Sequence, residues 1–165
     1  MPGLDARYYR DTQLNALALR RVDRAIDFDW KRDSPGPGVP RDRFSAKWTG
    51  YLEAPRDGTY RFYVAANDGC RVIVGGRTVV ENWRSMGTEN WYGTGDLRLD
   101  PGYHEIRIEH FDSGGGARIL LRVGIDGEKD PLDLERRFFH RPDSPERDED
   151  DPHDRSMESP PPAGT

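Results

Sequence analysis

The sequence predicts an all-β fold, an antiparallel β-sandwich or barrel, on three observations. Apolar and polar residues alternate with a period of two through the middle of the chain. Turn-forming clusters separate those stretches at short intervals. No stretch sustains the period of a long helix. Of the first forty residues, Leu14, Leu17, Ala18 and Arg21 have the spacing of a short helix. Val22 and Ile26-Asp27-Phe28-Asp29-Trp30 read as extended, and Ser34-Pro35-Gly36-Pro37-Gly38 is a loop. From there Phe44, Ala46, Trp48, Gly50 and Leu52 face one way, while Ser45, Lys47, Thr49, Tyr51 and Glu53 face the other. Tyr60, Phe62, Val64 and Ala66 resume the pattern after the turn Pro55-Arg56-Asp57-Gly58, so the two segments are expected to pair as a central antiparallel hairpin with Trp48 in the core. Cys70, Val72 and Val74 follow, and Gly75-Gly76 suits a tight hairpin to Thr78, Val79 and Val80. Leu97 and Leu99 run into the turn Asp100-Pro101-Gly102. His104, Ile106, Ile108 and His110 then share a face, as do Ala117, Ile119, Leu121 and Val123 after Gly114-Gly115-Gly116.

The chain has 165 residues, about one domain's worth. With 34% hydrophobic and 33% charged residues, it is too polar for uniform packing. The imbalance is local. Residues 141–165 hold eight acids against three arginines, whereas residues 1–140 hold 22 of each sign, so the net charge of -5 belongs to the end of the chain. That end has six prolines and only Met157 and Ala163 as apolar residues, too little to offset ordering entropy. The expected organisation is a β domain over residues 1–140 and a disordered, Pro-rich acidic tail over residues 141–165. A neutral body with an acidic tail argues against nucleic acid, which needs a basic face. No run reaches the roughly 18 apolar residues of a membrane-spanning helix, and the start shows no signal peptide. Cys70 is the only cysteine, which excludes an intrachain disulfide; it reads as a small inward hydrophobe.

The segments Gly3-Leu4, Tyr8-Tyr9, Ile26–Trp30, Phe44–Pro55 and Gly58-Thr59-Tyr60-Arg61-Phe62 occur in a recognisable order. Asp68-Gly69, the Gly76 hairpin, Trp83 and Leu99-Asp100-Pro101-Gly102-Tyr103-His104 continue it. With these motifs the chain resembles the protective-antigen-type β-barrel domain, named for anthrax protective antigen and found in flocculins, fungal adhesins and bacterial β-glucosidases. The resemblance covers about Gly3 to Phe139. It implies a non-catalytic carbohydrate-binding module, calcium-assisted, of an extracytoplasmic bacterial surface or secreted system. The alternative it leaves is a structural or protein-interaction module of a larger envelope protein or enzyme.

In sugar-binding members two consecutive aspartates, joined by a cis peptide, bind calcium, which in turn binds sugar hydroxyls. The matching positions here are Asn67 and Asp68. Asn67 keeps an amide oxygen but removes one negative charge from a site that calcium would fill with oxygens. Asn67-Asp68-Gly69 suits a simple strand-to-strand turn equally well. Asp112, before the triple glycine, is a third candidate calcium ligand by position in the resemblance, or the start of a flexible hairpin. Trp83, Trp91 and Tyr92 lie in a polar, aromatic stretch suited to stacking on a sugar ring, or to packing over the end of the barrel. His104 and His110 sit roughly 20 Å apart on one strand, too far to share an ion. No nucleophile elbow and no phosphate-cradling loop is present, so the chain is not expected to be an enzyme.

Overall fold

Two antiparallel sheets face each other across one apolar core. The structure, a computed structural model, describes residues 1–87 and 89–141. The strands are β1 (Leu4–Tyr9), β2 (Leu17–Asp23), β3 (Asp27–Lys31), β4 (Phe44–Ala54), β5 (Gly58–Asn67), β6 (Gly69–Val74), β7 (Arg77–Asn82), β8 (Trp91–Leu99), β9 (Gly102–Asp112), β10 (Ala117–Ile125) and β11 (Phe138–Phe139). The larger sheet runs β2-β1-β4-β9-β6-β7 with β11 paired to β4, and the smaller runs β3-β10-β5-β8. Among the described residues the only helical element is a 3-10 turn, Leu134–Arg136, and no helix is long and apolar enough to cross a membrane. The all-β expectation holds. The expected acidic tail lies outside the described residues apart from Arg141, whose guanidinium stands over the Tyr51 ring.

Two local expectations are corrected. Leu17, Ala18 and Arg21 belong to strand β2, not to a helix. Its pairing with β1, Leu4 opposite Asp23 and Tyr8 opposite Leu19, outweighs a few helically spaced apolar residues. The Trp48 and Tyr60 segments also do not pair. β4 hydrogen-bonds to β1, β9 and β11, whereas β5 hydrogen-bonds to β10 and β8. Residues 55–57 therefore form a corner between sheets rather than a hairpin turn. Alternation specifies which face of a strand is inward, and the inward faces of β4 and β5 do meet, but across the core. The Gly75-Gly76 connection between β6 and β7 behaves as expected, with φ of 57° and 78°, the left-handed pair that a two-residue hairpin turn demands.

The core is filled from both sheets. Ala6, Tyr8, Trp48, Leu52, Val72 and Ile108 come from the larger, and Tyr60, Phe62, Val64, Ile119, Leu121 and Val123 from the smaller, all buried. Trp30 and Phe28 pack against this cluster, with Phe28 stacked on Trp30 at 4.8 Å and Tyr8 edge-on to Trp48 at 5.9 Å. Within this aromatic group sits one buried carboxylate, Asp23. It accepts the Trp48 indole N–H at 2.9 Å, the Tyr8 hydroxyl at 2.5 Å and Arg21 Nε at 2.8 Å. Arg21 also donates to the Tyr8 oxygen at 2.9 Å and to the Pro35 carbonyl at 2.9 Å. Burial first, then the Asp23 charge, pushes the Tyr8 hydroxyl well above its ordinary pKa, so it remains a donor.

Asp23→Ala strands the Trp48 N–H and the Tyr8 hydroxyl, each at a cost of about 1–3 kcal/mol. The expected loss is therefore about 3 kcal/mol in urea unfolding, with Asp23→Asn intermediate because one acceptor oxygen survives. An Asp23→Ala variant within 1 kcal/mol of the parent in that measurement would contradict this account.

Candidate functional site

The site forms where the chain crosses from the smaller sheet to the larger. β5 ends at Asn67, β6 begins at Gly69, and Asp68 is the corner between them. The Asn67–Asp68 peptide is cis, as the family resemblance implies. The Phe111 ring lies so close over Gly69 that any Cβ there would collide with it, which explains the glycine. The Asp68 backbone N–H reaches the Phe111 carbonyl at 3.1 Å and so docks the corner against the end of β9.

Asp68 is fully buried and its carboxylate ties three loops together. Oδ1 accepts the Met86 backbone N–H at 2.6 Å, and Oδ2 accepts the Ser113 N–H at 2.8 Å and hydroxyl at 2.9 Å. Asn67 Nδ2 donates to the Gly87 carbonyl at 3.2 Å, and the Ser85 and Ser113 hydroxyls meet at 3.0 Å. Beneath the corner His110 is buried beside Trp30 and Phe44, with Nδ1 2.8 Å from the Gly69 carbonyl. That carbonyl only accepts, so Nδ1 carries the proton. Burial, opposed by the Gly69 contact and the Asp68 charge, lowers the His110 pKa to about 4, and the ring is neutral at pH 7.

Asp112 is handled differently. It closes β9 opposite Phe44 and is as buried as Asp68, yet neither of its oxygens has a hydrogen-bond partner, and the same is true of Asn67 Oδ1. Desolvation first, then the negative charge of Asp68, raises the Asp112 pKa to about 7. Asp42 adds to the rise, while the Gly114 N–H opposes it without reaching hydrogen-bond geometry on either oxygen. Buried oxygens left without a hydrogen bond, beside a negative charge, are a cation's complement. The donors are amide and carboxylate oxygens, the chemistry of a hard ion such as calcium. Among the described residues, no three His, Cys, Asp or Glu side chains converge on one point.

Asn67, Asp68 and Asp112 are thus brought together. The three aromatic candidates are not. Trp83 lies against Phe111 at 4.8 Å and under the Arg71 guanidinium at 3.9 Å. Trp91, opposite Ala66 on β8, is half-buried against the core. Tyr92 is exposed on the outer face of the smaller sheet. Sequence reasoning missed Ser113, the Met86-Gly87 backbone, His110 and Asp42. Asp42 precedes Phe44 by two residues, so only the Phe44–Asp112 register places it near Asp112.

The fold is thus a two-sheet antiparallel β-sandwich with an oxygen-lined corner between its sheets. The chain belongs to the PA14 domain family, whose model matches residues 1–136. It is 32% identical over 138 residues to the anti-sigma-I factor RsgI3 of Acetivibrio thermocellus, covering 83% of this chain and 21% of that protein. A solved anti-sigma factor domain-containing protein superposes with a TM-score of 0.78 at 25% identity, over 86% of this chain and 49% of that one. A PA14 sugar-binding domain from an RTX adhesin superposes with a TM-score of 0.71 at 22% identity, over 86% and 99% respectively. The chain therefore spans about a fifth of the curated anti-sigma factor and about half of the solved one.

The Asp112 shift fixes a sign. In cation-free protein the folded state holds the Asp112 proton up to about pH 7, while the unfolded chain releases it near pH 4. The folded state therefore binds more protons across that window, and this contribution to stability falls as pH rises from about 4 to 7. Urea midpoints measured in chelator should show the decline in the parent relative to Asp112→Asn. Parallel pH profiles for the two would remove it.

Proposed function

We propose that this chain is a non-catalytic glycan-binding module in which calcium, held by Asn67, Asp68 and Asp112, bridges protein and sugar. The observation that carries the reading is the set of buried, donorless oxygens on Asp112 and Asn67 at a corner where three loops converge. When bound, calcium supplies positive charge and coordination positions suited to a pair of sugar hydroxyls. The chain's residues do the rest. Asp68 spans the loops, His110 holds the Gly69 carbonyl, and Ser85, Met86 and Gly87 wall the site. The likeness to an adhesin sugar-binding domain supports the reading and, with it, an extracytoplasmic position for the module. A second reading is supported by the anti-sigma factor relatives: the module is a part of a longer regulatory protein and acts through a protein partner.

Calorimetric titration of calcium into chelator-stripped protein is expected to give a Kd between micromolar and low millimolar. Saturation at about 100 times Kd adds about 2.7 kcal/mol of stability, read as a higher Tm. Asp112→Asn and Asp68→Asn each weaken binding at least about tenfold, the equivalent of about 1.4 kcal/mol. Asn67→Asp, which restores the second charge, tightens it. A glycan array probed with and without chelator then tests the bridge. Absence of calcium heat and of stabilisation would eliminate the metal-bridged mechanism and leave the protein-partner reading ahead.

A further inference from the structure

A second recess lies on the outer face of the smaller sheet. On β10, Gly124 sits between the inward-facing Val123 and Ile125, and its cross-strand neighbour is Arg61 of β5, itself opposite Asp96 of β8. A Cβ at Gly124 would meet nothing within 4 Å, so the glycine leaves a notch in the sheet surface. Residues 126–131 wall that notch as the chain folds back along β10, anchored by the Leu132 N–H on the Val123 carbonyl at 2.8 Å. The depression holds about 500 Å³, within the range of small-ligand sites. Arg61 lies six residues before Asn67 on β5, roughly 20 Å along the strand, so the recess is separate from the Asp68 corner.

Its chemistry is specific in three respects. Arg61 grips Asp96 through two parallel bonds of 2.7 and 3.0 Å, which hold both planar groups in place while sparing N–H groups and lone pairs for a ligand. Tyr63 and Tyr92, 45% and 69% exposed, are diagonal neighbours on the same face, because Tyr63 is opposite Thr94 and Ala65 is opposite Tyr92. Three basic and four acidic side chains line the recess, leaving it close to neutral. Neither a polyanion nor a polycation gains from such a surface. A peptide gains little either, because the backbone groups of this face are already spent in strand ladders. A pyranose has an apolar C–H face for the tyrosines and neutral hydroxyls for the Arg61–Asp96 pair.

We propose that this recess, with Tyr63 and Tyr92, is a second, cation-independent binding site for a neutral oligosaccharide chain. The inference stands apart from the calcium reading, and the experiment keeps the two distinct. The 15N-labelled chain in EDTA is titrated separately with cellohexaose, xylohexaose, mannohexaose and agarohexaose, following backbone amide shifts. At least one sugar is expected to move amides across residues 59–63, 92–96 and 122–131. Gly124→Ile fills the notch in a strand position open to a side chain, and should weaken that binding at least about tenfold with Tm unchanged. Tyr63→Ala should weaken it similarly, and Asp112→Asn should leave it as in the parent. The proposal is overturned if none of the four sugars moves those amides, or if shifts are confined to residues 67–69 and 112–116. Undiminished binding to Gly124→Ile, or binding only to polygalacturonate added as an anionic probe, overturns it equally.

Discussion

The sandwich depends on a buried carboxylate that has all its partners. Asp23 is set among Tyr8, Trp48, Phe28 and Trp30, where an unpaired charge would be prohibitive. It is tolerated because an indole N–H, a phenol and a guanidinium all donate to it. The same bonds join β1, β2 and β4, and Arg21 extends them to the Pro35 loop. The aromatic side chains that make up much of the core are thereby held in one arrangement, and the two sheets close on a surface of defined shape.

The opposite solution occurs at the corner between the sheets. Asp68 is buried more completely than Asp23 and accepts three hydrogen bonds, but its donors come from loops, from Met86 and Ser113, and Oδ1 keeps an open position. Asp112 beside it has no donor on either oxygen. One carboxylate thus organises the loops while its neighbour is left with unfilled bonding capacity. The contrast between the two carboxylates is the observation on which the proposed calcium site rests.

The two faces of the molecule offer different recognition chemistry. The corner presents negative oxygens enclosed by loops, a geometry that favours a cation. The outer face of the smaller sheet presents exposed tyrosines and a paired arginine and aspartate on rigid strands. Strands hold side chains at fixed spacings and suit extended ligands, whereas loops surround a point.

Much of this was legible in the sequence. Period-two alternation identified which side chains of β4, β5, β9 and β10 face inward, because burial on one face of a strand imposes that period whatever the strand's partner. Gly75-Gly76 specified its hairpin through backbone sterics alone. The ordered motifs indicated the family and pointed to Asn67, Asp68 and Asp112. Pairing was another matter. Residues 55–57 read as a hairpin turn and prove to be a corner between sheets, since nothing local distinguishes a strand that turns back on itself from one that crosses the core. The helically spaced residues around Leu17 became a strand because β1 offered an edge. Only the tertiary structure brought Ser113, Met86, His110 and Asp42 to the corner and left Asp112 without a donor. Hydrogen-bond satisfaction is a property of three-dimensional neighbours, and those neighbours come from loops far apart in the chain.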